Sequence, residues 1–151
     1  MWNDDYRDML SALSAEGVDF ILVGAYAMAA HGFPRATVDL DLWVRPAPDN
    51  AARLLAALAR FGAPVHEVSA ADFTHDDTVF EIGVAPRRVD ILTGITGVTW
   101  AEAAPEAVVL QVDGLPLRVL SRTHLLQNMR ATGRPRDRDD AEQLERLPPE
   151  A

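Results

Sequence analysis

The sequence predicts an α+β (mixed α/β) fold. Apolar strand-like segments alternate with segments of helical length in the first half, and two pairs of strand-like segments indicate antiparallel hairpins in the second half. The 151 residues are enough for one domain with a hydrophobic core, but they are few for two domains. We therefore expect a single domain over residues 1–151, with a core at about 18–120 and a C-terminal helical segment at about 121–147.

The first third of the chain is predicted to alternate helix and strand. Asn3 is suited to cap a helix over residues 3–16 that ends at Gly17. The strand VDFILV follows and stops at Gly24, after which AYAMAAH has the small residues of a helix. This helix ends at Gly32, and the loop FPRAT leads into the strand VDLDLWV.

The middle of the chain combines one strong helical pattern with weaker ones. Asp49 is suited to cap the amphipathic helix NAARLLAALARFG, which ends at Gly62. PVHEV is predicted as a short strand and SAADFTHDD as a polar, partly helical connection. TVFEIGV and RRVDILT flank the turn APR and predict a β-hairpin.

The last third is predicted to hold a second hairpin and two helices. Residues 98–103 are expected to start a short helix, and AVVLQV and LPLRVL surround the Asp-Gly pair at 113–114, a strong hairpin signal. Ser121 is suited to cap the helix RTHLLQNMRAT, which ends at Gly133. Asp137 is suited to cap a last helix, RDDAEQLERL.

Composition and charge exclude several classes of protein. Acidic residues outnumber basic ones by 23 to 14, and the net charge of -9 argues against a broad basic surface for duplex nucleic acid. The absence of cysteine excludes a disulfide framework, a thiolate nucleophile and a Cys-based zinc site. The N-terminal segment MWNDDYRDML is acidic, and no apolar run reaches membrane-spanning length. We therefore expect a cytoplasmic protein with no signal peptide and no membrane partner.

Three carboxylates stand in apolar strand-like segments. Asp39 and Asp41 are one residue apart, so a strand places both on one face and Leu40 and Leu42 on the other. The segment RRVDILT adds Asp90. Because carboxylates held close together do not all stay ionised without cations or a shared proton, we expect a hard divalent ion such as Mg²⁺ beside them. One or two such ions support phosphoryl or nucleotidyl transfer.

The segment before the acidic strand fits a substrate that carries phosphates. A strand that ends at Gly24 and passes directly into a helix presents backbone N–H groups to an anion, and the glycine allows close approach. Arg35, in the loop before the acidic strand, is suited to pair with a phosphate through its planar guanidinium. Both features therefore predict nucleotide contacts.

Together these residues resemble the signature of the DNA-polymerase-β-like nucleotidyltransferase superfamily. In LVGAYAMAAHGFPRATVDLDLWV, Val23 and Gly24 open the motif, thirteen residues separate Ala25 from Asp39, and Asp-Leu-Asp-Leu closes it. Ala25 stands where the family usually has Gly or Ser, and it keeps a small side chain and the backbone N–H. Asp90 in RVDIL resembles the third, separate carboxylate of the superfamily.

The resemblance implies a mixed sheet flanked by helices and a metal-dependent transfer reaction. Asp39 and Asp41 would bind Mg²⁺ or Mn²⁺, and Asp90 would both ligate a metal and help to deprotonate an acceptor hydroxyl. A nucleoside monophosphate would pass from an NTP to that hydroxyl, with release of pyrophosphate. The implied nucleotide contacts are Gly24, Ala25 and Arg35.

The tail LSRTHLLQNMRATGRPRDRDDAEQL resembles the C-terminal helices of small bacterial members of the superfamily, including toxins of toxin–antitoxin pairs. A toxin role implies tRNA or protein as the acceptor and an antitoxin as a partner. Antibiotic-inactivating relatives imply instead a small hydroxylated acceptor. Met129 stands where related small members carry Lys, so a phosphate contact in the tail would fall to Arg130, Arg134 or Arg136.

Each residue of the predicted site also has a purely structural explanation. Asp39 and Asp41 would suit the solvent face of an edge strand, where charges oppose aggregation. Asp90 would suit an ion pair with Arg87 or Arg88 across a solvent face. For the whole chain, the departures from the family pattern suggest an alternative, a catalytically degenerate module that binds a nucleotide or another protein.

Overall fold

A computed structural model gives the fold and describes residues 2–34, 36–37, 39–112 and 114–148. Helices and strands alternate along the chain, and the strand pairs are both parallel and antiparallel, which confirms the mixed α+β class. The helices are α1 (Asp4–Ala15), α2 (Gly24–Ala30), α3 (Pro48–Phe61), α4 (Trp100–Ala103), α5 (Arg122–Thr132) and α6 (Pro135–Arg146). The strands are β1 (Phe20–Val23), β2 (Asp39–Val44), β3 (Val79–Ile82), β4 (Arg88–Leu92), β5 (Val108–Val112) and β6 (Leu115–Val119).

Most helix ends follow the predicted local signals. The side chain of Asn3 accepts a hydrogen bond from the N–H of Tyr6 at 2.9 Å, and Ser121 caps α5 in the same way. Gly62 and Gly133 end α3 and α5 with φ of 96° and 70°, in the left-handed region that favours glycine. Among the described residues, no helix has the length and apolar character needed to cross a membrane.

Three local predictions are wrong. PVHEV is not a strand but contains a 3₁₀ turn over Val65–Glu67, because its N–H groups bond to carbonyls two or three residues back. Asp49 and Asp137 lie in the first turns of α3 and α6 and cap neither helix. Pro48 and Pro135 start these helices earlier, because the fixed φ of proline suits the first helical position.

The chain divides into two compact units. The first comprises Met1–Phe20 and Val38–Gly94, and the second comprises Ile21–Thr37 and Ile95–Ala151. Within the first unit, β4 pairs in parallel with β2 and antiparallel with β3, and α1 packs against α3. Within the second, β6 pairs in parallel with β1 and antiparallel with β5, and α5 packs against α6. The antiparallel pairs confirm both predicted hairpins; residue 113 of the Asp-Gly signal lies outside the described residues.

The core of the first unit is built from alternating strand residues and from the apolar faces of α1 and α3. Leu40 and Leu42 are fully buried, whereas Asp39 and Asp41, which alternate with them along the strand, are partly exposed, so the predicted alternation of β2 is confirmed. The two acids therefore point away from the face that carries the leucines. Other fully buried side chains of this core are Met9, Leu13, Leu54, Leu58 and Ile91.

Asn50 is a fully buried polar side chain that joins three backbone segments. Its Oδ1 accepts the N–H of Asp19 at 2.8 Å, and its Nδ2 donates to the carbonyls of Asp19 and Arg45, both at 3.0 Å. Asp19 precedes β1 and Arg45 follows β2. Asn50 thus fixes these two segments against α3 with all its bonds satisfied.

Replacement of Asn50 with Ala is expected to lower the free energy of unfolding by about 2–4 kcal/mol, because the N–H of Asp19 loses its partner and the carbonyls of Asp19 and Arg45 each lose one of two hydrogen bonds. Guanidinium unfolding measures the change. Arg53→Ala is a matched control on the same helix, since Arg53 is exposed and its ion pair with Asp49 is 3.4 Å long; we expect less than about 0.5 kcal/mol. Equal stability of wild type and Asn50→Ala would contradict the structural role.

Candidate metal centre

Three aspartates converge on one face of the first unit. In the parallel β2–β4 pair, Asp41 lies directly opposite Asp90, and Asp39 lies opposite Arg88. One carboxylate oxygen from each aspartate lies within 4.8 Å of the other two. The structure therefore brings together the three acids that the sequence analysis singled out.

The register of the strands explains the convergence. Val89 and Ile91 on β4 are buried, as are Leu40 and Leu42 on β2, and these four side chains face the core. Because strand side chains alternate, the residues between them share the opposite face. Asp90 is 6% exposed although it lies on that opposite face. The acids are therefore held on rigid strands, and at least one of them is away from bulk water.

Arg88 is the cation of this cluster. Its Nη2 donates to Oδ2 of Asp39 at 2.8 Å and to Oδ2 of Asp90 at 3.1 Å, and its Nε lies 3.0 Å from Oδ1 of Asp90. One guanidinium thus contacts acids of both strands. Arg87 lies elsewhere, with Nη1 3.5 Å from Oδ2 of Asp5. The ion pair of Asp90 that the sequence offered as an alternative is present, but around a buried acid inside the triad and not on a solvent face.

Burial and mutual repulsion change the acidity of the triad. Burial, followed by the charges of Asp39 and Asp90, raises the pKa of Asp41 from its ordinary 3.8 to about 8. Burial also raises the pKa of Asp90, while the hydrogen bond from Arg88 opposes this change. Without a divalent cation, the cluster therefore retains a proton at neutral pH.

The donor set fits a hard divalent cation. The ligand atoms are carboxylate oxygens, which Mg²⁺ and Mn²⁺ prefer, and they lie close together on two adjacent strands. The retained proton of Asp41 indicates that the cluster can accept more positive charge than Arg88 supplies. Asp39, Asp41 and Asp90 are thus residues that could hold such an ion.

The predicted nucleotide contacts Gly24 and Ala25 lie at the start of α2, in the second unit. Gly24 has a φ of 72°, a conformation that a residue with a Cβ adopts only with strain. Val23 before it is extended and provides no side-chain cap. Arg35 lies outside the described residues, so its phosphate contact stays a prediction.

The C-terminal helices explain one departure from the family pattern. Met129 is buried in the second unit, so an apolar side chain at this position has a packing reason. Of the arginines that were considered for a phosphate contact, Arg130 pairs with Glu145. Arg134 and Arg136 are exposed. No described contact assigns either of these two to a ligand site.

Comparison with solved structures shows a nucleotidyltransferase fold. The solution structure of the antibiotic-resistance factor ANT(2″)-Ia, a nucleotidyltransferase, matches with a TM-score of 0.63 and 18% identity over 93% of this chain and 80% of that chain. The crystal structure of ANT(2″)-Ia in complex with adenylyl-2″-tobramycin matches with a TM-score of 0.57 and 17% identity over 92% and 90%. No family model and no curated protein matches the sequence. At these identities the similarity shows the fold, which fits the superfamily that the sequence resembles.

Proposed function

We propose that the protein is a metal-dependent nucleotidyltransferase that transfers a nucleoside monophosphate from an NTP to a hydroxyl acceptor and releases pyrophosphate. The observation that carries this proposal is the convergence of Asp39, Asp41 and Asp90 within 4.8 Å on two paired strands. The fold shared with ANT(2″)-Ia supports it. A solvent-facing edge strand would not require a third, buried acid beside the first two.

In this proposal the three aspartates hold Mg²⁺ or Mn²⁺ through their carboxylate oxygens. When bound, the metal would supply positive charge to the triphosphate and to the leaving pyrophosphate. Asp90 accepts the proton of the acceptor hydroxyl, because burial raises its pKa and makes its carboxylate a stronger base than that of an exposed aspartate. The acceptor oxygen forms a bond to the α-phosphorus while the bond to the β-phosphate oxygen breaks.

The nucleotide contacts are proposed from the sequence and from local geometry. Gly24 lets the chain pass from β1 into α2 with a positive φ, and no Cβ obstructs the approach of a phosphate to the backbone. Ala25 adds a second N–H and a small side chain. Arg35 contributes a phosphate contact on the strength of the sequence alone.

Different observations support two classes of acceptor. The similarity of fold to ANT(2″)-Ia, which was crystallised with adenylyl-2″-tobramycin, supports a small hydroxylated compound, and the net charge of -9 argues against a broad RNA-binding surface. The resemblance of the tail to toxins supports tRNA or protein, together with an antitoxin. The comparisons do not bear on that toxin role, which stays a prediction. Growth arrest on expression without the neighbouring gene's product would support the toxin, and unaffected growth would count against it.

The alternative of a degenerate binding module makes a different prediction for catalysis. Ala25 and Met129 are the departures from the family pattern that suggest it, and the burial of Met129 explains one of them by packing. Measurable turnover that disappears in Asp41→Asn would eliminate the degenerate module.

Calorimetric titration of each NTP in the presence of Mg²⁺ tests the donor site. We expect one or more NTPs to bind to the wild type, and the affinity to fall at least about tenfold in the double variant Asp39→Asn/Asp41→Asn, because two of the three carboxylates that would hold the metal are removed. Asp76→Asn/Asp77→Asn is a matched control, since it removes the same charge from an exposed loop of the same unit. Unchanged NTP affinity in the Asp39/Asp41 variant would contradict the proposal.

A further inference from the structure

Arg88 contacts two of the three aspartates that are proposed to bind a metal. Both oxygens of Asp90 lie within 3.1 Å of its guanidinium nitrogens, and Oδ2 of Asp39 accepts a hydrogen bond from the same Nη2 atom. Of the three aspartates, only Asp41 has no described contact with Arg88 shorter than 4 Å. Nη2 alone donates to both carboxylates, whereas Nε and Oδ1 of Asp90 are buried side by side without a hydrogen bond between them.

We propose that Arg88 is a displaceable counter-ion, which occupies Asp39 and Asp90 in the metal-free protein and thereby lowers the affinity of the triad for a divalent metal. The inference rests on the proposed function, because it takes the triad to be a metal centre. It goes beyond that function by assigning Arg88 to the control of metal occupancy.

Charge and geometry support competition. Once all three aspartates are ionised they carry three negative charges, and Arg88 neutralises only one of them. A divalent ion at the same oxygens would lie close to the guanidinium, and two like charges at that distance repel. Both carboxylate oxygens of Asp90 lie beside the guanidinium, so whichever of them binds a metal is one that Arg88 also contacts, and Oδ2 of Asp39 accepts a hydrogen bond from the same arginine. Metal binding must therefore weaken the contacts of Arg88 or move the side chain.

The side chain of Arg88 is partly exposed, although its Nε atom is buried against Asp90. Its side chain is 33% exposed, whereas that of Asp90 is 9% exposed. The arginine therefore reaches the acids from the solvent side, and its long side chain can swing outward while the acids stay on their strands. Arg88 is consequently a counter-ion of the site and not part of the packed core.

Titration of Mn²⁺ alone into the protein, followed by electron paramagnetic resonance of the unbound ion, tests the inference. The titration is made in oxygen-free buffer at pH 8.5, where protons compete least for the carboxylates. We expect Arg88→Gln to bind Mn²⁺ about tenfold more tightly than the wild type, because the competing charge is gone. We expect Arg88→Lys to bind about threefold more tightly, because one ammonium spans two carboxylates poorly. Arg87→Gln is the matched control, because it makes the same charge change at the adjacent position and the described ion pair of Arg87 is with Asp5, outside the triad. We expect this variant to bind Mn²⁺ with wild-type affinity.

A second readout separates competition from a merely structural role. Melting temperatures are measured with EDTA and with Mn²⁺, and we expect a larger shift on addition of Mn²⁺ for Arg88→Gln than for the wild type. A structural role would lower both melting temperatures equally and leave the shift unchanged. If Arg88→Gln does not fold, Arg88→Lys decides.

The outcomes distinguish the inference from the proposed function. Mn²⁺ binding to the wild type, with equal or weaker binding to the Arg88 variants, would overturn the inference and leave the metal centre intact. Absence of Mn²⁺ binding in the wild type and in both variants would overturn the metal centre, and the inference with it. Tighter binding in the order wild type, Arg88→Lys, Arg88→Gln would establish the competition.

Discussion

Replacement of Asp41 with Asn is expected to reduce nucleotidyl transfer at least about a thousandfold and, at the same time, to stabilise the metal-free protein at pH 8. The loss follows because the proposed metal ligand is removed. The gain follows because Asp41 is partly withdrawn from solvent and lies beside two other acids, so its ionised form is unfavourable in the folded state. Asparagine has the shape of the protonated acid and carries no charge. Loss of activity together with a gain in stability is expected when a residue serves catalysis but destabilises the fold.

The pKa of Asp41 determines whether the stability of the metal-free protein rises or falls with pH. Its value is raised in the folded state from 3.8 to about 8, mainly by burial and then by the charges of Asp39 and Asp90. Between these values the unfolded chain releases a proton that the folded protein keeps. The contribution of this proton to the free energy of unfolding is therefore fully present below about pH 4. It is lost as the pH rises through 8, at up to about 1.4 kcal/mol per pH unit. The Asp41→Asn variant has no such proton, so the two stability curves diverge as the pH rises.

Urea unfolding in EDTA at pH 5 and pH 8, together with pyrophosphate release in Mg²⁺, measures both effects. Asp77→Asn is the control, because it removes the same charge from an exposed position outside the triad. We expect it to keep both the activity and the pH dependence of the wild type. If Asp41→Asn were less stable than the wild type at pH 8, the mutual repulsion inferred for the triad would be wrong.

Local signals in the sequence were sufficient for much of the secondary structure. Asn3 and Ser121 cap helices and Gly62 and Gly133 end them, because the physics of these positions depends on a few neighbouring residues. PVHEV was predicted wrongly for the converse reason. A short run with two valines becomes a strand only if a neighbouring strand pairs with it, and its own sequence does not contain that information.

The candidate site was only partly accessible from sequence. The spacing of Asp39 and Asp41 predicted a shared face, and the structure confirms the alternation of β2. That Asp41 lies opposite Asp90 depends on the register of two strands almost fifty residues apart in the chain, which tertiary packing sets. The same register brings Arg88 to Asp39. The two-residue spacing from Arg88 to Asp90 indicates a shared face, but nothing local indicates the contact with the other strand.

The structural role of Asn50 was likewise not predictable from the sequence. In the sequence it is an ordinary polar residue at the start of a helix, where asparagine is common. In the fold it is fully buried, because its amide bonds to Asp19 and Arg45 on two other segments. A buried amide of this kind depends on chain segments that meet only after folding.

The affinity for Mn²⁺ is expected to rise about tenfold for each pH unit between pH 6 and pH 8, and to level off above. The metal binds to ionised carboxylates, and the proton of Asp41, whose pKa burial raises to about 8, must leave first. An exposed pair of aspartates would instead show nearly constant affinity over this range, since both would already be ionised. The slope therefore reports on the buried triad and not on acidity in general.

Titration of Mn²⁺ at pH 6, 7 and 8 measures this slope, with Asp77→Asn as the control that should reproduce it. Asp41→Asn should bind weakly and without the slope, because it lacks both the proton and a ligand oxygen. A flat profile for the wild type would mean that Asp41 is ionised before the metal arrives. Its burial would then not raise its pKa as the structure implies, and the gain in stability expected for Asp41→Asn would have to disappear as well. The two measurements thus test one electrostatic property of the triad by independent routes, one through folding and one through binding.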